Sequence, residues 1–356
     1  MGMGSQDAID QLRVLMDQVD EPLKRTYQNV HQGYEVETLA RFLRARDWNV
    51  AKTHKMLVDC LNWRVHNEID NILAKPIVPA DHYRGVRDSQ LIGMSGYSRE
   101  GLPVYAIGAG LSTFDKASVH YYVQSHIQMN EYRDHVILPT ASKKHGRPIT
   151  TCIKVLDMTG LKLSALNQIK LFLLYSLIAV IDHRQLFLLQ LLTVISTVDD
   201  LNYPEKTNTY YIVNAPYIFS ACWKVVKPLL QERTRKKVQV LNGNGRDELL
   251  KIMDISSLPH FCKREGSGSS KNNSEKSSES CYSLDHPFHQ QLYNYTKEQA
   301  ANNAPTGPIK QGSFHVRVPE PEAEVKTIES ALQKFEKGIP RGLSGCLDDL
   351  KINNSE

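Results

Sequence analysis

Apolar positions along this chain change period twice. From about Ile9 to Leu73 they recur at helical spacing, as in Leu39, Phe42 and Leu43, then Trp48, Met56, Leu57, Leu61 and Trp63. Asp47 and Asn49 mark a turn between two helices, and Pro76 and Pro79 close the region. From about Tyr83 to Cys262, strand-like runs alternate with helical stretches. The runs Leu102–Ile107, Thr150–Leu156, Thr209–Val213 and Val238–Leu241 are rich in Val, Ile, Tyr or Thr. Between them, residues 116–137, 164–201, 220–232 and 245–253 read as helices. Strands separated by helices predict an α/β fold with a mixed, mostly parallel sheet and crossover connections. After Arg264 comes EGSGSSKNNSEKSSES, which has too little apolar surface to order itself. The expected organisation is a helical subdomain at 9–75, an α/β domain at 80–262 and a mostly disordered tail at 265–356. Within the tail, Val325, Ile328, Leu332 and Phe335 suit one amphipathic helix near 324–337.

The stretch from Leu201 to Leu241 is the most informative. A polar loop with Glu205 leads into a strand, then the turn Asn214-Ala215-Pro216, then a helix with Ser220 as its N-cap. Cys222, Val225, Val226, Leu229 and Leu230 form one sticky face, with Lys224, Lys227 and Gln231 on the other. Pro228 removes an intrahelical hydrogen bond, so a kink or an early end is expected there. Arg233, Arg235, Lys236 and Lys237 follow. An apolar face finished by a basic cluster suits an oily ligand with an anionic head, while a core-packing helix with a solvated end accounts for the same pattern.

One segment is out of place. Residues 171–190, LFLLYSLIAVIDHRQLFLLQ, are far more aliphatic than their surroundings. Asp182, His183, Arg184 and Gln185 interrupt the run, and a central charge costs about 2.5–3.5 kcal/mol in a bilayer. Each apolar half is too short to span, so a membrane helix is not expected. Removing the segment joins Leu163, Leu166 and Ile169 to Leu191, Leu192, Ile195 and Val198 in one amphipathic helix. An insertion, hypothetically translated intron sequence, explains that continuity, and sequencing the transcript across the junction tests it.

Charge biases the choice of partner without fixing it. The 356 residues carry 43 Lys+Arg against 39 Asp+Glu, a formal +4. From Glu265 onward there are 13 acidic and 10 basic residues, which leaves +7 on residues 1–264. A mildly basic body favours anionic membrane surfaces or nucleic acid. Six scattered cysteines form no C-x-x-C pair, so neither zinc nor a disulfide framework is expected. The polar start, MGMGSQDAIDQL, has no apolar signal region, and Gln6 stands where myristoylation needs Ser or Thr. A cytosolic, thiol-reduced protein is the expectation.

Catalytic signatures are missing. Gly93-Met94-Ser95-Gly96 lacks nucleophile-elbow spacing, and Gly243-Asn244-Gly245 is followed by neither G-x-x-G nor a Walker Lys-Ser/Thr. Thirteen histidines include no H-x-H or H-E-x-x-H arrangement. Asp157, at a strand end, fits a catalytic carboxylate or, more commonly, a loop cap. His126 and His135 read as satisfied histidines. No enzyme, metal or cofactor is expected.

Several motifs, in order, carry a resemblance: Arg41-Phe42-Leu43-Arg44-Ala45-Arg46; Gly101-Leu102-Pro103-Val104-Tyr105; Val155-Leu156-Asp157 with Gly160; and Tyr203-Pro204-Glu205 before Tyr211-Ile212-Val213-Asn214-Ala215-Pro216. Over about residues 9–262 the chain resembles the CRAL-TRIO lipid-transfer family, especially yeast and plant phosphatidylinositol transfer proteins. The resemblance implies a helical N-terminal part on a mixed sheet, enclosing an apolar lipid pocket closed by a gate helix. That helix would be 220–232, with Cys222, Val225, Val226, Leu229 and Leu230 on its lipid side. Matching the family's motif, Glu205, Thr234 and Lys237 would hold an inositol headgroup, with Arg46 a weaker phosphate contact. Charge-assisted bonds from Lys and Arg suit phosphate, and a carboxylate and a hydroxyl suit ring hydroxyls.

Two departures stand out. Cys152 and Lys154 occupy strand positions where phosphatidylcholine-binding relatives carry Ser and Thr, and the interval from Asp157 to Glu205 is about 20 residues longer than the family's pattern. The implied protein is a monomeric carrier of phosphatidylinositol that touches anionic membranes, Golgi or plasma membrane, from the cytoplasm. A sterol, tocopherol, retinoid or phosphatidylcholine as cargo, an impaired splice product, or Arg233–Lys237 as a nucleic-acid patch are the competing readings. The patch lacks interleaved stacking aromatics, so no nucleic acid is expected.

Overall fold

The computed structural model describes residues 3–161, 183–216, 232–263 and 279–302, with positions 219, 223 and 227. Four helices open the chain: α1 (Met3–Asp17), α2 (Glu21–His31), α3 (Glu35–Ala45) and α4 (Val50–His66). Their sticky faces meet in one core of Ile9, Leu12, Leu39, Phe42, Leu43, Leu57 and Leu61, as the helical period predicts. The turn between α3 and α4 is where the sequence puts it. Asp47 and Trp48 take positive φ, and the Asn49 side chain accepts from the Lys52 N–H at 2.9 Å to cap α4.

A 3₁₀ turn (Ile69–Ala74) and α5 (Ala80–Ser89) lead into a five-stranded sheet of order β1-β2-β3-β4-β5. The strands are β1 (Ile92–Tyr97), β2 (Pro103–Gly108), β3 (Cys152–Asp157), β4 (Thr207–Val213) and β5 (Val238–Val240). β1 runs antiparallel to β2, and the remaining neighbours are parallel. The four expected strands are present within a residue or two of their predicted limits. β1 has no counterpart in the sequence reading, because Gly93, Ser95 and Gly96 break its apolar alternation.

Helices fill the crossovers. α6 (Val119–Tyr132) passes through a π-helical turn (Arg133–Ile137) into α7 (Leu138–His145). Pro139 has no N–H to give back to the preceding turn, a sufficient local cause for the widening there. α8 (His183–Asn202) lies between β3 and β4 and buries Leu191 and Val198 against Tyr122, Val123 and Ile127. It begins inside the anomalous aliphatic segment, of which 171–182 lie outside the described residues. α9 (Glu232–Lys237) runs directly into β5, and α10 (Arg246–Leu250) and α11 (His260–Lys263) follow.

The two sheet faces have different fates. Val104, Ala106, Ile153, Val155 and Val213 point to one side and pack under Leu249, Met253, Leu258 and Phe261. On the other side, register aligns Tyr105, Lys154, Tyr210 and Val238 in one row, and Ile107, Leu156, Ile212 and Val240 in the next. Met94, Tyr105 and Cys152 on this second side are covered by Met129, Tyr132, Phe288 and Leu292.

Phe288 and Leu292 come from α12 (Pro287–Asn302), inside the stretch expected to be mostly disordered. Residues 279–302 are folded against the sheet instead. The approach is close: a Cβ at Gly93 would stand 1.7 Å from the Cys281 carbonyl oxygen. The predicted helix near 324–337 lies outside the described residues, as does the helix expected at 220–232 apart from positions 223, 227 and 232.

Candidate functional site: a charged cavity at the end of the sheet

The Tyr203-Pro204-Glu205 motif is held residue by residue. The Tyr203 hydroxyl donates to Glu131 Oε1 at 2.5 Å, and the indole of Trp63 meets its ring edge-on. Arg41, buried in α3, donates to the Pro204 carbonyl at 2.8 Å. Glu205 then adopts φ 59°, a left-handed conformation unusual for a non-glycine residue. Such strain persists only where the surroundings over-determine it, and here two anchored neighbours fix the turn. The turn presents the Glu205 carboxylate to Lys237, whose Nζ donates to Oε2 at 2.5 Å.

Glu205 and Lys237 border a cavity of about 220 Å³. Its walls carry four basic side chains, Arg133, Lys154, Lys206 and Lys237, against Asp199, Asp200 and Glu205. Tyr203 and Tyr210 supply the aromatic surface, and Val238 joins them. The volume lies below the roughly 300–1,000 Å³ of pockets that enclose a drug-sized ligand. A cavity of this size and polarity fits a small polar group. The row Ile107, Leu156, Ile212 and Val240 lies next along the same sheet face, one side-chain repeat beyond Lys154 and Tyr210. Polar cavity and aliphatic row thus adjoin.

A buried ionic network supports the cavity from behind. Arg64 makes paired 2.8 Å bonds to both oxygens of Glu131 and further bonds to Asp70. Burial alone would raise the Glu131 carboxyl, but Arg64 and His135 outweigh it and hold it well below the ordinary range. Asp199 accepts from Asn130 at 2.8 Å, meets His126 Nε2 at 2.7 Å and pairs with Lys154 at 3.6 Å. Burial opposes its charge as well; His126 and Lys154 overcome that and depress its pKa. Lys206 pairs with Asp134 at 2.9 Å, yet burial brings its ammonium down to about 7.

The structure brings together two of the four residues named for headgroup contact. Glu205 and Lys237 are paired in the cavity. Thr234 stands in α9, three residues before Lys237. Arg46 is not among the lining residues, and its guanidinium donates to the Ala45 carbonyl at 3.0 Å. Cys222, Val225, Val226, Leu229 and Leu230 lie outside the described residues. Sequence reasoning missed Arg133, Asp199, Lys206 and Tyr210 as cavity residues. A signal existed for some of them: a lone charge such as Lys154 in an apolar strand must find a partner, and Asp199 lies in the last turn of the helix that precedes the motif loop.

Other candidates resolve into structural roles. Asp157 Oδ1 accepts from the Thr159 N–H, the Thr159 hydroxyl and Asn214 Nδ2, so it caps two loops. His126 and His135 are paired with Asp199 and Glu131. Among the described residues, no group of His, Cys, Asp and Glu could hold a metal ion. No described helix is long and apolar enough to cross a membrane.

The chain is similar in sequence to known proteins. The CRAL/TRIO domain model matches residues 87–263, and the CRAL/TRIO N-terminal domain model matches residues 8–59. The chain is 30% identical over 249 residues to the phosphatidylinositol/phosphatidylcholine transfer protein SFH9 of Arabidopsis thaliana, spanning 66% of this chain and 39% of that protein. It is 29% identical over 228 residues to SFH11 of the same plant, covering 63% and 55% respectively. With the SEC14 cytosolic factor of Eremothecium gossypii it shares 27% over 228 residues, 62% of this chain and 67% of that one. The chain thus spans between about two fifths and two thirds of these relatives' lengths. Among solved structures, Sfh5 aligns over 70% of this chain and 84% of its own, with TM-score 0.49 and 15% identity. With helices and sheet in the predicted arrangement and two domain models matched in order, the chain belongs to the CRAL/TRIO family.

Proposed function

We propose that the protein binds phosphatidylinositol and transfers or presents it between membranes, the inositol head in the charged cavity and the acyl chains over the neighbouring aliphatic row. The observation that carries this reading is the Glu205–Lys237 pair, bordering a headgroup-sized cavity beside Ile107, Leu156, Ile212 and Val240. A carboxylate accepts from ring hydroxyls and an ammonium donates to phosphate. Thr234 adds a hydroxyl at the spacing of helix-surface neighbours. So charged a cavity favours a lipid with a polar head over a sterol.

A diacyl lipid exposes roughly 30 methylenes, each worth about 0.8 kcal/mol when kept from water, so unaided passage costs something like 25 kcal/mol. An apolar enclosure must offset that. The segment 220–232, with Cys222, Val225, Val226, Leu229 and Leu230 facing the chains, would close it and open only at a membrane. The protein is then a monomeric carrier rather than an enzyme. It needs no cofactor and visits anionic membranes from the cytoplasm.

The test is transfer of phosphatidylinositol between vesicles by the Glu205→Ala/Lys237→Ala double variant. Transfer should fall to background while the circular-dichroism spectrum and melting temperature stay near wild type. Unimpaired transfer by a folded double variant overturns the headgroup assignment.

A further inference from the structure

Residues 135–156 contain no Asp or Glu, and within them Lys143, Lys144, His145 and Arg147 are all exposed. Among the described residues, Lys143, Lys144 and Arg147 meet no carboxylate, whereas the exposed Lys55, Arg99 and Lys251 each pair with one. Strands β2 to β5 run parallel, so the segments leading into them lie at one end of the sheet. Residues 143–151 lead into β3, and Glu205, Lys206 and Lys237 lead into β4 and β5 at that same end. We propose that Lys143, Lys144 and Arg147 form the surface by which the protein docks on an anionic phospholipid leaflet, at the cavity's end of the sheet. The purpose of such docking, loading the cavity, rests on the carrier reading given above; the docking itself does not.

The cluster sits on a fixed platform. Ser142 Oγ accepts from the Ile149 N–H at 2.8 Å, across the turn that carries the cations. Arg147 donates to the Glu100 carbonyl at 2.8 Å, and a Cβ at Gly101 would stand 2.5 Å from the His145 ring. These last two ties run to the turn ahead of β2, so docking has little backbone left to order. The charge also exceeds what the helix uses. Lys143 and Lys144, in the last turn of α7, complement its dipole, an effect confined to that turn. Arg147 lies beyond the Gly146 cap and is not explained by it. Counting the neighbouring Arg99, Glu100 and Asp254, the surface carries four basic and two acidic groups. Neighbouring strands are about 4.8 Å apart, so the start of β3 lies about 10 Å from the start of β5, where Lys237 borders the cavity. One leaflet can therefore meet the cluster and the cavity's end together. Residues 138–151 hold no Phe, Tyr or Trp to stack on bases, which favours a leaflet over nucleic acid.

The experiment measures flotation of the full chain with phosphatidylcholine vesicles, with and without phosphatidylserine, at low and high salt. Wild-type protein should bind the phosphatidylserine vesicles more tightly, and added salt should erase the difference. The variant Lys143→Ser/Lys144→Ser/Arg147→Ser should lose about a hundredfold in that affinity, since each basic residue at an anionic leaflet contributes about fivefold. Its binding to neutral vesicles and its melting temperature should stay at the wild-type values. Lys143→Arg/Lys144→Arg, which keeps the charge, should bind as wild type does. If removing Arg147 unfolds the protein, Lys143→Ser/Lys144→Ser alone should lose about twenty-five-fold. Equal wild-type binding to both vesicle types, or wild-type affinity in the folded serine variant, overturns the docking surface whatever lipid the cavity holds. Salt-sensitive docking through the cluster by a protein that carries no phospholipid supports the surface and overturns the carrier reading alone.

Discussion

At the scale of single residues, the chain uses buried charge to hold one turn in place. Tyr203 and Arg64 both bond Glu131, and the carboxylate links α4, α6 and the motif loop. Replacing Glu131 by Ala leaves Arg64 partly uncompensated at 3% exposure. Unpairing a buried ion pair costs about 3–5 kcal/mol. Urea denaturation of Glu131→Ala should show a loss of that size, and a loss below about 1 kcal/mol would contradict the buried-pair account. The pH dependence has a fixed sign. Glu131, Asp134 and Asp199 all have depressed pKa values in the folded chain. As pH falls through the unfolded carboxylate range near ~4, the unfolded chain takes protons first, so stability present above that range is lost below it. Chemical denaturation at a series of pH values should give a stability that declines steeply below about pH 4.5.

Elements divide into those with a periodic signature and those that depend on a partner. α3 and α4 were legible because Leu39, Phe42, Leu43, Leu57 and Leu61 repeat at helical spacing, and all five are fully buried. β1 was not, since its glycines serve a neighbour and not the strand: Gly93 admits the Cys281 backbone and Gly96 admits Ser257. α12 had a signal that its surroundings hid. Phe288, Leu292 and Tyr295 follow helical spacing, but the Ser- and Asn-rich run before them suggests a solvated tail. Phe288 packs edge-on against Tyr105 and Tyr132. Phe288→Ala should therefore destabilise by about 3–5 kcal/mol, as for other large core truncations. Truncation after Lys263 should lower the melting temperature, while truncation after Asn302 should not. Equal melting of the two truncated proteins would show that α12 adds nothing to the fold.

For the whole molecule, the anomalous segment is the structural question with the most direct test. Residues 183–190 extend α8 at its N-terminal end, and the anchors that tie α8 to the core, Leu191 and Val198, lie beyond it. Deleting 171–190 should therefore give a soluble protein with a melting temperature no lower than that of the full chain. Aggregation or loss of cooperative melting in the deleted protein would show that the segment belongs to the working fold.

The sequence by itself determined the helical opening, the four parallel strands, the family, and the loop that presents Glu205, because each depends on local period or on contiguous motifs. It did not reveal Arg133, Lys154, Asp199, Lys206 and Tyr210 as one cavity. Those side chains are far apart in the chain and meet only because parallel register aligns Lys154 with Tyr210 and because α8 brings Asp199 over the sheet. Pairing of that kind is a product of long-range geometry, which local pattern does not encode. The same holds for α12, whose docking depends on the room that Gly93, far earlier in the chain, leaves for the Cys281 backbone.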